Sequence, residues 1–271
     1  MEKMLSLADG RSLCLEEFGN SADPLMIHIE GHGAQLVSVP ESYCQRLAGA
    51  GFYVIRFDNR DVGRSSRTPY PYDLRDMAAD VAAMIRYYGQ AAVVTGRSMG
   101  GAIAQLLALD YPQLVCGLGL FFTYAKNSSQ LVKPVREVPF SNRDQFLAWH
   151  FRQISEIAGS KYPWEEKQLP DLVAGCWRRG FSWEGLERQR QALERTVPWA
   201  QRLGEIQVPV SIVHGEEDPV IPPAAGKELH RLIKHSRLHL VPGMGHQQPA
   251  AANDLFIKAT LEAAGIPGEA S

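Results

Sequence analysis

Short apolar runs alternate with amphipathic stretches along most of this chain, and that alternation sets the expected architecture. MIHI (26–29), YVIRF (53–57), AAVVT (91–95), CGLGLFF (116–122), VPVSIVHG (208–215) and RLHLV (237–241) read as strands. Several are apolar at nearly every position, the pattern of parallel strands covered on both faces. Helix-period stretches lie between them, at about 41–50, 73–88, 99–111, 223–234 and 250–264. Strand and helix in alternation predict a parallel sheet with crossover helices, an α/β layer fold. Two further runs, near 3–7 and 12–18, flank the turn ADGRS and predict an antiparallel hairpin at one sheet edge.

The rhythm breaks after Phe122. From 125 to 199 no strand-like run occurs, but all five tryptophans do: Trp149, Trp164, Trp177, Trp183 and Trp199. FSNRDQFLAWHFRQISEIAG and WEGLERQRQALERTV have helical spacing, with Ser141 as the N-cap of the first and Asp144 in its first turn. The economical reading is a helical insertion, 125–199, in a core domain formed by 1–124 and 200–271. A separate domain there would leave the flanking strands without partners. The tryptophans are expected to form the insertion's small core, with one or two lining a pocket. The tail GIPGEAS is expected to fray.

The length of 271 residues suits one large α/β domain or two small ones, and 45% hydrophobic residues suffice for a sizeable core. A net charge of −2 and a pI near 6.5 exclude a global field that would recruit nucleic acid or acidic membranes. The N-terminus lacks the long apolar segment of a signal peptide, and no apolar run is long enough to span a bilayer. A cytoplasmic protein is expected. Cys14, Cys44, Cys116 and Cys176 lie far apart with no CxxC pair, so neither a metal nor a redox site is expected. Cys14 and Cys116 are expected to be small buried apolar residues.

The chemistry gathers around TGRSMGGA (95–102). GRSMG satisfies G-x-S-x-G, directly after one strand run and directly before a helical one. A serine at so sharp a strand-to-helix turn has a strained backbone, and glycines two residues to either side keep neighbouring elements from clashing. The turn lifts the hydroxyl clear of the sheet and sets the helix's unpaired N–H groups beside any oxyanion that forms. GRSSR (63–67) lacks the second glycine and a following helix; GFSWEG (180–185) has the wrong spacing. Ser98 alone has the full context.

A serine hydroxyl needs a base, and the base needs an acid to hold it. In this arrangement they follow in the order Ser, Asp/Glu, His. Asp218 lies in the loop after one late strand and His246 in the glycine-rich loop after the last. Parallel strands would bring all three to one sheet edge, where open α/β folds place their sites. Glu216 and Glu217 compete with Asp218 as the acid, with a solvated turn as their default role. His150, His230 and His235 sit on or beside helix surfaces, where solvation is expected. His28, His214 and His239 sit in or at the ends of strands and suit core or supporting positions.

In GHGAQ, VIRFDNRDVGRS, GRSMGG, HGEEDPVIPP and GMGH, in that order and over nearly its whole length, the chain resembles the α/β-hydrolase superfamily. FDNRDVGRS resembles the aclacinomycin methylesterase-like serine esterase branch. The resemblance implies a mostly parallel eight-stranded sheet flanked by helices, with a helical cap inserted after the sixth strand. It implies carboxylic-ester hydrolysis through an acyl-enzyme, without a cofactor, on a small-molecule ester. Ser98 takes the nucleophile's place, His246 the base's and Asp218 the acid's. The backbone N–H groups of Met99 and His32 take the places of the oxyanion donors. Arg60 and Asp61, in the loop 58–66 near the site, are expected to pair and brace that turn.

The leading function is a serine esterase for a small or medium ester. Lactonases and C–C bond hydrolases use the same three residues, and a ligand receptor with a retained, slow triad is the alternative from another class. One departure from the resemblance is Glu30-Gly31 where relatives often have His-Gly. In the superfamily's sheet order the third and fifth strands are neighbours, so the resemblance puts the opposite charges of Glu30 and Arg97 at adjacent strand ends, and a bidentate pair is expected. The rival roles are an arginine that reaches solvent and an arginine that binds an acidic substrate.

Overall fold

The computed structural model describes residues 1–126, 140, 142–164 and 168–266. Eight strands form one sheet: β1 Lys3–Ser6, β2 Ser12–Phe18, β3 Leu25–Ile29, β4 Tyr53–Phe57, β5 Ala92–Arg97, β6 Val115–Phe121, β7 Val210–Gly215 and β8 Arg237–Val241. Their order is β1-β2-β4-β3-β5-β6-β7-β8. β1 pairs antiparallel with β2 and β2 with β4; the other pairs are parallel. The hairpin expected from the turn ADGRS is the edge of this sheet.

The central strands are buried along their length, and alternate residues enter two cores. Leu25, Ile27 and Ile29 of β3 join one core while Met26 faces the other; β4 divides Ile55 from Val54 in the same way. Helices α2 Leu74–Tyr88 and α3 Met99–Asp110 cover the first core, whereas α1 Glu41–Gly49 and α8 Asn253–Ala263 cover the second. α2 begins with a reciprocal cap between Asp73 and Asp76 and ends at Gly89 in the left-handed region. α3 is buried from Met99 to Leu109, which is why its sequence shows no polar stripe. α7, Ala224–Leu232, sits between β7 and β8 in sequence.

Between β6 and β7 come α4 Arg143–Ser155, α5 Gln168–Arg178 and α6 Trp183–Arg195. Asn142 caps α4; Ser141, the expected cap, lies outside the described residues, as do 267–271 of the tail. α5 has no counterpart in the sequence pattern because Pro170 and Gly175 interrupt it. Pro170 falls in the first turn, where no helical N–H is lost. Phe146, Leu169 and Val173 form a separate small core, with Trp149, Trp164 and Trp177 packed against it. Trp199 departs from expectation: it is buried in the main core, and its indole N–H donates to Gln105 Oε1 at 2.9 Å.

Cys14, Cys44 and Cys176 are buried, but Cys116 is exposed. Ala92 pairs with Val115 and Val93 with Gly117, so Cys116 is the unpaired extra residue of a bulge. Among the described residues no helix is long and apolar enough to cross a membrane.

Candidate active site

β5 ends at Arg97 and α3 begins at Met99, leaving Ser98 between them at φ 52°, ψ −120°. This is strained backbone for a residue with a side chain, and its surroundings hold it there. Ser98 N–H donates to Phe121 O at 3.1 Å, and Ser98 O accepts the Thr123 hydroxyl at 2.6 Å. A methyl group on Gly96 would stand 2.7 Å from Gly101 N, and one on Gly100 would stand 2.7 Å from Glu30 O. Both elbow glycines are therefore sites of backbone-on-backbone contact, as the sequence reading required.

β7 delivers the loop that carries Asp218. Its Oδ1 accepts the Val220 and Ile221 N–H groups, each at 2.8 Å, and its Oδ2 accepts His246 Nδ1–H at 2.7 Å. His214 lies behind: its Nε2–H donates to Ile221 O at 2.9 Å and stands 3.5 Å from Asp218 Oδ2. Burial pushes the His214 pKa down, which keeps that ring neutral against the carboxylate. Committing His246 Nδ1–H to Asp218 leaves Nε2 as the ring's acceptor. The Phe122 ring meets His246 edge-on at 4.8 Å, and Phe122 itself is at φ 35°. Ser98 and His246 line one cavity without a direct hydrogen bond between them.

The loop after β3 faces the elbow. A methyl group on Gly31 would touch Ser98 Cβ at 3.2 Å. The N–H groups of Met99 and His32 find no acceptor among the described residues. The His32 ring is tied away from this role: Nε2–H donates to Leu186 O at 2.8 Å, and burial lowers its pKa. Gly33 N–H donates to Gln189 Oε1 at 2.8 Å, so α6 holds the loop from above.

Glu30 and Arg97 pair as expected. Arg97 Nε donates to Glu30 Oε2 at 3.2 Å and Nη2 to Oε1. Arg60 and Asp61 do not pair with each other. Arg60 bonds Asp80 at 2.7 Å and Asp61 bonds Arg188 of α6 at 2.8 Å. Asp61, at φ 73°, turns the chain so that the two side chains diverge. Glu216 is exposed, and Glu217 accepts the N–H and hydroxyl of Ser160 at 2.7 and 2.8 Å. Of the three acids in this loop, Asp218 is the one bonded to His246.

The cavity holds about 390 Å³. Ser98, His246, Gly31 and His32 form its floor, and Phe122, Trp149, Trp164, Phe181 and Leu186 give it apolar walls. His150 also lines it, contrary to the solvated position expected from a helix surface. Its ring stacks on Phe146 at 5.2 Å, and burial pushes its pKa down to about 4. Phe122, Thr123 and His214 are supporting residues that carried no motif; His214 had only its place at a strand end as a signal.

The sheet order and the elbow define an α/β-hydrolase. The family profile described as serine aminopeptidase, S33, matches residues 21–249, and the chain belongs to that family and is a hydrolytic enzyme. Rhodomycin D methylesterase of Streptomyces peucetius is 27% identical over 91% of this chain and 92% of its own. The bifunctional esterase/perhydrolase of Acinetobacter calcoaceticus is 30% identical over 78% and 81% respectively. Among solved structures, the esterase of Exiguobacterium antarcticum superposes with a TM-score of 0.79 at 22% identity, covering 98% of this chain and 100% of that one.

Proposed function

We propose that the protein hydrolyses small to medium carboxylic esters with Ser98 as nucleophile, His246 as base and Asp218 as the acid that orients it. His246 Nε2 takes the Ser98 Oγ proton as Oγ attacks the ester carbonyl. The tetrahedral oxyanion sits against the Met99 and His32 N–H groups, and the imidazolium then protonates the departing alkoxide. Water, deprotonated by His246, attacks the acyl-enzyme and frees Ser98. The observation that carries this reading is the 2.7 Å Asp218–His246 bond opening onto the same cavity as the strained serine.

Residues 125–199 serve as the cap that shapes the substrate pocket. The aromatic walls suit an apolar or aromatic body. Among the described lining residues the only charged side chains, Glu30 and Arg97, neutralise each other, which favours an uncharged ester. The relative named rhodomycin D methylesterase supports methyl esters as the first substrates to try. The test is turnover of a chromogenic acetate ester together with labelling by a fluorophosphonate. Many turnovers and a single label on Ser98, both lost in Ser98→Ala, are expected. One acyl equivalent followed by silence would favour a receptor, and turnover by Ser98→Ala would end the serine mechanism.

A further inference from the structure

Glu30 directly follows β3 and Arg97 closes β5. Ile29 and Gly96 are register partners, so the two side chains leave adjacent positions at the strand ends. Glu30 is 1% exposed and Arg97 8%. Taking two charges out of water at this depth brings a desolvation penalty that apolar residues of similar volume avoid, so stability alone does not account for them. Their geometry does. Glu30 Oε2 accepts both Arg97 Nε–H and the N–H of Gly31, at 3.2 and 3.1 Å. Arg97 Nη2 also donates to Ser38 O at 3.1 Å, and Glu30 O accepts Asn59 Nδ2–H at 3.0 Å.

We infer that Glu30 and Arg97 are positioning residues that fix the spacing between the two oxyanion donors. The inference rests on the proposed roles of Ser98, Met99 and His32. One end of the clamp precedes Ser98 and Met99 in the chain; the other precedes Gly31 and His32. The carboxylate joins the two segments, and it holds the loop by the peptide N–H adjacent to that of His32. The planar guanidinium fixes the direction of the join, which a flexible ammonium would not. With both carboxylate oxygens engaged, Arg97 is compensated and is not a receptor for a substrate anion.

The test compares wild type with Glu30→Gln and Arg97→Lys, the second keeping the charge should the first fold poorly. The readouts are kcat and KM on a chromogenic acetate ester, affinity for phenylboronic acid, whose serine adduct is tetrahedral, and melting temperature. A displacement of about 1 Å in a reacting geometry costs about a hundredfold in rate. The expected result is therefore a kcat lower by about 10- to 100-fold, KM little changed, and boronate affinity reduced in parallel. Unchanged kcat and boronate affinity, whatever the melting temperature, would overturn the inference. So would a gain by Glu30→Gln on a hemisuccinate ester, which would make Arg97 an anion receptor. A faster Glu30→Gln on the neutral ester would also overturn it, because the uncovered cation would then act by its field. Fluorophosphonate labelling separates the two levels. Wild type labelled at Ser98 with a normal Glu30→Gln ends only this inference; wild type unlabelled ends the serine reading beneath it.

Discussion

Replacing Gly100 by alanine should cost far more activity than any glycine-to-alanine change in an ordinary helix. The added methyl would stand 2.7 Å from Glu30 O and closer still to Ile29 O. An ordinary carbon–oxygen contact is about 3.3–3.6 Å, so the end of β3 and the elbow must separate by about 1 Å. Overpacking of this kind typically costs about 1–3 kcal/mol. The same displacement moves the Gly31–His32 loop away from Ser98, which should lower kcat by about a hundredfold. Gly49, at the end of α1, is the control: nothing lies within 4 Å of its added methyl. There, alanine should leave kcat alone and stabilise by about 0.5–1 kcal/mol through helix propensity. The assays are steady-state turnover of a chromogenic ester and urea denaturation. Wild-type kcat and midpoint in Gly100→Ala would show that the elbow accommodates a side chain and that the close approach has no functional weight.

The remaining expectations concern the acid, the pocket histidine and the fastening of the cap. Asp218→Asn should lower kcat by about 10⁴-fold, as loss of a triad acid does elsewhere, while Glu217→Gln keeps turnover within a small factor. Stopped-flow acylation of the two variants checks this. His150 has a folded pKa of about 4 against 6.5 unfolded, so the unfolded chain binds more protons between those values. Stability should therefore fall as the pH drops below 6.5, by about 2 kcal/mol at pH 5, and His150→Phe should remove that part of the acid sensitivity in melting curves. Arg179 bonds Asp58 at 2.5 Å and also pairs with Glu2. Arg179→Met should destabilise by about 3–5 kcal/mol in urea, because it removes the cation bonded to a buried carboxylate and leaves Asp58, among the described residues, only the Leu36 and Arg64 N–H groups.

The fold is legible because its central strands are buried on both faces and read as runs apolar at nearly every position. YVIRF coincides with β4 residue for residue, and RLHLV coincides with β8 although that strand is a sheet edge and only partly buried. The elbow was legible for another reason: Gly96 and Gly100 are demanded by backbone contacts, and such demands leave glycine at fixed spacing. Residues 125–199 are less legible. Pro170 and Gly175 hid α5, although one sits in a tolerant first turn and the other in a helix with space around it. The helical pattern around His150 points it to solvent, because the pattern of a single helix does not reveal the cavity that it lines. Trp199 reads as part of the insertion's core because it lies beside the insertion in sequence, yet it packs with Gln105 of α3. Cys116 reads as buried because a bulge, which turns one residue outward, leaves no trace in hydrophobicity. Phe122 and His214 adjoin the site through a ring contact with His246 and a hydrogen bond to Ile221 O, which no motif encodes.

His246 N–H donates to Ile157 O at 2.8 Å, and Lys161 N–H donates to Gly243 O at 3.0 Å. Gln247 reaches Tyr162 O, and Ser160 is held by Glu217. The short segment 157–162 thus rests on both late loops, with Asp218 in one and His246 in the other. A hybrid enzyme that borrowed its whole insertion from a relative would inherit new bearings for the imidazole along with a new pocket. Grafts that stop before Ile157, leaving 157–162 and 243–247 from the same parent, would exchange selectivity while keeping the machinery in tune. Grafts that run past it would confound the two, and a loss of rate in such a hybrid would say nothing about how well the new pocket fits its ester.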